Sequence, residues 1–357
     1  MAPLAGADKP AALRALRQAA ARARAHAIWW ELGLGGDIVA SYEALSAFAD
    51  RLVAEALAAA EGIVSARFGE LPGFAIAALA LGKHGGEELN LGSDLDLVFV
   101  WDAPEGASST RRGLGASEYA ERVVRAFVEL CALRTAEGLA WEVDLRLRPG
   151  GQAAPVALRL AAVESYFEDY AQAWERAAWI KARAVAGDAG LGKRLMQIRE
   201  AFVFRPRLDW AMLDALAEMK RRIDAEAGTK GFGPGWDVKR GRGGIREVEF
   251  IAQALQLAYG GRYSRLRTRK TLKALARLSE HGFLPEEDAA QLQAAYCDLR
   301  RVEHALQARR GEHTHRLPDD AEVYLSAALG EERVRRVQKE SAFVAERFAA
   351  LFRREAE

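Results

Sequence analysis

The stretch "GSDLDLVFVWD", residues 92–102, sets Asp94 and Asp96 one residue apart at the head of an apolar run. Residues i and i+2 of a strand point the same way, so both carboxylates project from one face. Like charges that close repel, and neither is easily hidden from water. A fold that buries this strand must supply something to compensate the pair, and that requirement bears on both the architecture and the chemistry.

The surrounding pattern is α+β. With 357 residues the chain has room for two domains or more. Residues 11–67 read as two or three Ala- and Leu-rich helices broken near "GLGGD". "GFAIAALALGKHGG" (73–86) is an apolar run stopped by glycines, as expected of a buried strand, and "LDLVFVWD" (95–102) is a second strand. In "ASEYAERVVRAFVELCALR" the helical spacing puts Tyr119, Val123, Phe127 and Leu130 on one side. "AWEVDLRLRPGG" (140–151) alternates Trp141, Val143, Leu145 and Leu147 with Glu142, Asp144, Arg146 and Arg148, which predicts a strand ended by Pro149. Residues 162–188 read as helical. Beyond about residue 190 only amphipathic helices are expected, punctuated by "GFGPG", "GRGG", "YGGRYS" and "HGFLP". The boundaries fall at 1–68 (helical), 69–189 (sheet and helices) and 190–357 (helical bundle).

Charge and composition exclude several classes. A formal net charge of +1 supplies no overall field toward nucleic acid or a membrane surface. The longest apolar stretch is too short to cross a bilayer. Cys131 and Cys297 are the two cysteines, in no metal-ligand spacing, which suits a reducing cytoplasm. The Ala- and Arg-rich start could be taken for a transit peptide, but it continues into further helical pattern and reads as a bundle helix.

Asp144 lies on the polar face of the predicted strand 141–148 and could complete a triad with Asp94 and Asp96. Three converging carboxylates call for divalent cations, and Mg²⁺ suits them as a hard ion that shares its shell with phosphate. Two such ions about 3.5–4 Å apart can steady the attacking and leaving oxygens of an in-line phosphoryl displacement. The plainer alternative is that Asp94 caps a turn and Asp96 is solvated on an edge strand. Arg146 and Arg148 either neutralise the acids or touch phosphate. Lys181 and Arg183, placed on the predicted helix, either contact phosphate or ribose or lay their stems over apolar surface. The basic run "RYSRLRTRK" reads as a solvated turn or a contact for an acidic partner. His313 and His315 lack the further ligands a zinc site needs.

A second anion site is suggested at "KRGRGGIREVEFIAQALQL" (239–257). Glycines leading into a helix expose backbone N–H groups, and the dipole favours an anion there. Lys239, Arg240, Arg242 and Arg246 add charge at the same end, and Arg246, Glu249, Gln253 and Gln256 form a polar stripe between apolar faces. The alternative is a solvated basic loop.

Glycines ahead of Ser-Asp-Leu-Asp, with a third Asp on a later strand, resemble the DNA polymerase beta-type nucleotidyltransferase fold. More narrowly, "GKHGGEELNLGSDLDLVF", "EVDLRLRPGG", "WERAAWIKARAVAGD" and "GRGGIREVEFIAQALQL" are similar to the glutamine synthetase adenylyltransferase/adenylyl-removing family, over roughly residues 70–317. The resemblance implies a mixed sheet with flanking helices followed by a helical bundle. It also implies two Mg²⁺ held by Asp94, Asp96 and Asp144, and a loop at Gly82, Gly85 and Gly86, with Ser93 nearby, that lets backbone approach a nucleotide phosphate.

Family members carry two such units, one attaching AMP from ATP to a tyrosine of glutamine synthetase and one removing it by phosphorolysis to give ADP. This chain shows the D-x-D signature once and resembles a single half. The basic "KRGRGG" lead-in is similar to the removing half, whereas "GSDLDLVF" is closer to the adding half. The resemblance implies adenylylated glutamine synthetase, inorganic phosphate and ADP or ATP as partners, with the nitrogen-signalling PII protein as a possible one. A non-catalytic module binding glutamine synthetase or PII, and a nucleotidyltransferase acting on RNA, are the competing readings.

Overall fold

The computed structural model describes residues 3–172, 174–206, 210–228, 231–310 and 314–351, so His313 lies outside the described residues. Helix α1 (Lys9–Ile28) starts at Asp8, whose carboxylate accepts the Ala11 N–H at 2.8 Å. Asp37 caps α2 (Ile38–Phe68) in the same way, at 2.9 Å to the Ala40 N–H. Each cap satisfies an amide that the first helical turn leaves without a partner.

Strand β1 (Ala75–Ala80) leads through the one-turn helix α3 (Gly82–Gly85) to β2 (Leu95–Asp102), which returns antiparallel with Ala80 opposite Leu97. After α4 (Ala116–Ala132), the short strands β3 (Val143–Asp144) and β4 (Ala157–Arg159) both pair with β2 in parallel, β3 placing Asp144 opposite Asp96. Helices α5 (Leu160–Asp169) and α6 (Glu175–Trp179) lead to β5 (Arg183–Gly187), antiparallel to β1 on the other side. The sheet is therefore mixed and five-stranded, in the order β3-β2-β1-β5 with β4 also on β2.

Alternation along the strands divides the core in two. Ile76, Ala78, Ala80, Leu95, Leu97 and Phe99 pack with α1, α2 and α4. Leu79, Val98 and Val100 belong to a second core with α5, α7 (Ala189–Val203) and the helices that follow. Those are α8 (Trp210–Ala227), α9 (Ile245–Tyr259), α10 (Thr271–Glu280), α11 (Glu286–Arg310), α12 (Ala321–Leu329) and α13 (Glu331–Ala350). Because strand residues two apart share a face, Asp96 points to the side of Val98 and Val100, toward this helical layer. The sequence reading of helices beyond residue 190 holds, as does the buried face of α4 formed by Tyr119, Val123, Phe127 and Leu130.

Two expectations are corrected. The predicted strand 141–148 is reduced to Val143–Asp144. The Asp144 carboxylate accepts the Arg146 backbone N–H at 2.7 Å, and such an Asx-type bond competes with the ladder. Arg148 then folds back onto the carbonyls of Leu145, Ala154 and Pro155. The continuous helix expected over 162–188 is broken as well. Arg199 takes the carbonyls of Trp179 and Ile180, and the chain leaves as β5, so Lys181 follows a helix end and Arg183 lies on a strand.

The Phe99 and Phe127 rings meet edge to face at 4.9 Å, both fully buried. Phe127→Ala leaves a cavity where α4 covers β2 and should cost about 3–5 kcal/mol. Urea unfolding at neutral pH measures it, and a loss under about 1 kcal/mol would mean that this core collapses around the gap.

Candidate active site

The acid-bearing end of β2 and the helical layer enclose a cleft of about 450 Å³. Asp94, Asp96 and Asp144 line it from the sheet side. Parallel pairing sets Asp96 directly beside Asp144, where neighbouring strands run about 4.8 Å apart. Gly82 enters with a left-handed φ of +52°, and a side chain there would overlap the Asp96 carboxylate. That glycine lets the turn after β1 close over the acids, helped by the Leu81 N–H donating to the Asp96 carbonyl at 2.9 Å.

Charges of both signs line the cleft. Burial pushes Asp96 up to about 6, with Asp144 and Asp94 adding to the rise and Lys239 and Lys83 opposing it. Burial acts the same way on Asp144, but hydrogen bonds from Arg146 hold that carboxyl below its ordinary value. Arg146 donates to Asp144 Oδ2 at 2.5 and 2.8 Å and to Oδ1 at 3.0 Å, and so occupies the place of a neutralising cation. Lys83, Lys181 and Lys239 line the same cleft. Lys83 is buried against Glu303 at 2.6 Å, and burial brings it down to about 7 despite that partner. Lys181 lies between Glu88 at 2.7 Å and Glu249 at 2.6 Å. Burial would lower it, but the two carboxylates raise it above its usual value.

Lys239 reaches the cleft because residues 236–238 bridge to 315–317, with the Val238 N–H on the His315 carbonyl and the Leu317 N–H on the Trp236 carbonyl, both at 2.8 Å. The same bridge delivers His315, whose Nδ1 lies 3.1 Å from Glu303.

Several residues named from the sequence are placed elsewhere. Arg183 holds Asp50 through both guanidinium ends at 2.6 and 2.9 Å, and Asp50 also meets the buried His84 at 2.8 Å. This cluster braces the turn from behind. Gly85 and Gly86 pack on the chain at Lys181 rather than opening to the cleft: a side chain on Gly85 would strike the Lys181 and Ala80 carbonyls. Ser93 lines the cleft, its hydroxyl donating to Asn90 at 2.6 Å.

At the anion site expected at the start of α9, the backbone donors are already taken. The Gly243 N–H goes to the Glu247 carboxylate, and those of Gly244, Ile245 and Arg246 go to the carbonyls of Gly241, Val238 and Lys239. Arg246 pairs with Glu226 at 2.8 Å, and Arg242 is exposed outside the cleft lining. From that basic segment Lys239 and Arg240 line the cleft. Of the polar stripe on α9, Glu249 and Gln253 do so, while Gln256 is buried on the carbonyls of Leu266 and Thr268. Arg148 is bonded to carbonyls, and of the two roles considered it serves the neutralising one, its charge helping to lower the Asp144 carboxyl.

Sequence reasoning did not find Lys83 or Asn90, and it weighed His315 only as a zinc ligand. Lys83 carried a faint signal, a lone cation between the glycines ahead of the acids.

Among the described residues, no three Asp, Glu, His or Cys side chains stand together as a ready metal cage. Mg²⁺ seldom uses one, taking one or two carboxylates and completing its shell with water and substrate phosphate. Asp94 and Asp96, with Asp144 neutralised by an arginine, form a donor set of that kind. A cleft lined by both lysines and carboxylates suits a phosphate-bearing ligand with its counter-ion.

Asp96 gives the site a pH signature. Its folded value of about 6 exceeds the ~3.9 of an unfolded aspartate. Between those values the folded protein binds the extra proton, so stability falls as pH rises and the loss is complete above the folded value. In chelator, Asp96→Asn should exceed wild type by roughly 1–3 kcal/mol near pH 8, with the gain vanishing below about pH 4. Urea titrations at both pH values check this, and an equal difference at both would contradict a raised carboxyl.

Comparison with known proteins follows the same division of the chain. Residues 4–198 match the glutamate-ammonia ligase adenylyltransferase family, and residues 211–355 match the GlnD PII-uridylyltransferase family. A protein of Stenotrophomonas maltophilia (strain K279a) is 42% identical over 327 residues, 89% of this chain and 34% of that protein. One from Nitrosococcus oceani is 43% identical over 254 residues, 71% of this chain and 26% of its own length. One from Xanthomonas axonopodis pv. citri is 46% identical over 239 residues, 67% and 25% of the two chains. All three are named bifunctional glutamine synthetase adenylyltransferase/adenylyl-removing enzyme. The chain spans about a third or less of the length of these relatives.

Proposed function

This chain belongs to the glutamate-ammonia ligase adenylyltransferase family, and we propose that its cleft removes AMP from the adenylylated tyrosine of glutamine synthetase by phosphorolysis. The observation that supports this reading is that Lys83, Lys181 and Lys239 line one cavity together with Asp94, Asp96 and Asp144. That is a site for phosphate groups in transit between two oxygens.

In the proposed reaction a free phosphate oxygen forms a bond to the α-phosphorus of the AMP–tyrosine ester, and the bond to the phenolic oxygen breaks. ADP and a tyrosine phenolate result, the phenolate taking its proton from solvent. Phosphate is already anionic, so no general base is needed, and catalysis consists of positioning and charge neutralisation. Lys239 and Lys83 hold the incoming phosphate, and Lys181, fixed by Glu88 and Glu249, marks the wall of the cleft. Mg²⁺, bound by Asp94, Asp96 and nucleotide phosphate with Asp144 behind them, would supply neutralisation of the developing charge.

The direction rests on the basic lead-in. Lys239 and Arg240 reach the cleft from "KRGRGG", giving cations for a second, free phosphate. Addition of AMP from ATP is the alternative and uses the same acids. A regulatory contact with a PII-type protein is proposed through the helical part, on its match to the PII-uridylyltransferase family. A module without turnover is disfavoured, because three costly acids lining one cleft serve no docking purpose.

The deciding experiment incubates the protein with adenylylated glutamine synthetase, Mg²⁺ and phosphate and measures ADP, then repeats it with ATP and unmodified glutamine synthetase. ADP in the first arm is expected, and AMP incorporation in the second alone would reverse the direction. Asp94→Asn and Asp96→Asn should each lower kcat at least about 100-fold with the fold retained, as expected for loss of electrostatic stabilisation. Chelation should do the same.

Lys239→Met should raise the phosphate concentration for half-maximal rate roughly tenfold, about 1.4 kcal/mol of binding. Arg242→Ala and Arg246→Ala should stay within about twofold of wild type, because neither side chain lines the cleft. The reverse pattern would return the phosphate to the α9 loop.

A further inference from the structure

Behind the cleft lies a second cavity of about 410 Å³ that the reaction above does not use. The two share a wall: Gly92 and Ser93 line both, and Ser93 directly precedes Asp94. They are also joined along the surface, since Glu142 lines the second cavity and, with Asp94 and Asp144, the shallow groove outside β3. A chain lying over the acids would run into this cavity within a few residues, each spanning at most ~3.6 Å.

The lining is cationic and rich in donors. The Arg24 guanidinium lies 4.3 Å above the Trp141 ring and donates to the Ala140 carbonyl at 2.8 Å. No carboxylate partner of Arg24 occurs among the described residues, and burial without one lowers it to about 10. Gln307 is 2% exposed, its Oε1 accepting the Gly92 N–H at 2.9 Å while its Nε2 has no acceptor. A buried amide donor left unpaired costs free energy unless a ligand completes it. Glu142, at 3.5 Å from Arg134, closes one rim. Directly after the lining residue Ile28 in sequence, Trp29 is more than half exposed and Trp30 40% exposed. Exposed tryptophans beside an arginine pocket have the composition of a recognition surface.

We propose that this cavity receives an acidic side chain from the segment of the protein substrate flanking the modified tyrosine, with Trp29 and Trp30 as its apolar rim. The carboxylate meets Arg24, beside the buried amide of Gln307, and the shared wall at Ser93 registers the tyrosine over Asp94 and Asp96. The proposal rests on the reading that the substrate is glutamine synthetase, so its test separates docking from chemistry.

The full chain is titrated onto immobilised glutamine synthetase, with and without AMP attached, in chelator and without nucleotide; ADP binding is measured separately. Wild type should bind, Arg24→Gln at least tenfold more weakly and Trp29→Ala about fivefold more weakly, with ADP affinity within twofold. Arg24→Gln keeps a donor for the Ala140 carbonyl, and Trp29 is exposed enough that its loss spares the fold, so Trp29→Ala decides the matter if the first variant unfolds.

Docking here is overturned if wild type does not bind, if both variants bind like wild type, or if ADP affinity falls in parallel. Turnover with unchanged variant affinity leaves the reaction standing and removes the docking site. Binding that the variants weaken, without AMP transfer in either direction, supports the docking site and removes the reaction.

Discussion

A buried set of ion pairs holds the sheet against the helical layer, and the cleft exists because of it. Lys83, from the turn after β1, reaches Glu303 on α11 at 2.6 Å, and Lys181 joins Glu88 to Glu249 on α9. Fully buried Arg300 completes the set, donating to the Glu88 carbonyl at 2.6 Å and lying 3.1 Å from Glu303. Burial alone would raise Glu303, yet Lys83, His315 and Arg300 hold it well below the usual carboxylate range. Such pairs need not add net stability, because desolvation offsets much of the attraction. Losing one partner nevertheless strands a buried charge at about 3–5 kcal/mol. Their consequence is registration: the lysines that line the cleft with the acids are fixed by glutamates contributed from the helices.

That registration accounts for the division of labour among cations. Arg183, Arg199, Arg246 and Arg300 are committed to protein acceptors, and Arg146 to Asp144. In the cleft, burial loosens the proton on Lys83 and makes Asp96 harder to ionise, both by disfavouring the charged form. A polyphosphate with its counter-ions relieves both strains at once, since it brings negative charge to the lysines and positive charge to the acids. The same reasoning counts against the start of α9, where the backbone N–H groups of Gly243, Gly244, Ile245 and Arg246 already have acceptors.

Legibility in the sequence followed the range of the interactions. The buried side of α4 and the change to helices near residue 190 depend on local periodicity, and each is present in the fold; of the two aspartates, Asp96 lies on β2 and Asp94 just ahead of it. The strand expected at 141–148 failed although its alternation was clean. The Asp144 side chain bonds the Arg146 amide, a local bond that binary pattern does not register. Lys83 and His315 were missed because their significance lies in Glu303, 220 and 12 positions away respectively.

From its sequence alone, then, this protein has its family, its α+β class, and the pair of aspartates at the head of an apolar strand. Periodicity and short motifs determine these, since they are written in residues a few positions apart. Tertiary structure decided which cations are spent and which are offered, that Lys239 enters the cleft while Arg242 and Arg246 stay outside, and that a second cavity shares a wall with the first. A side chain's charge is local, but whether that charge is compensated depends on residues that only the folded chain brings within about 3 Å.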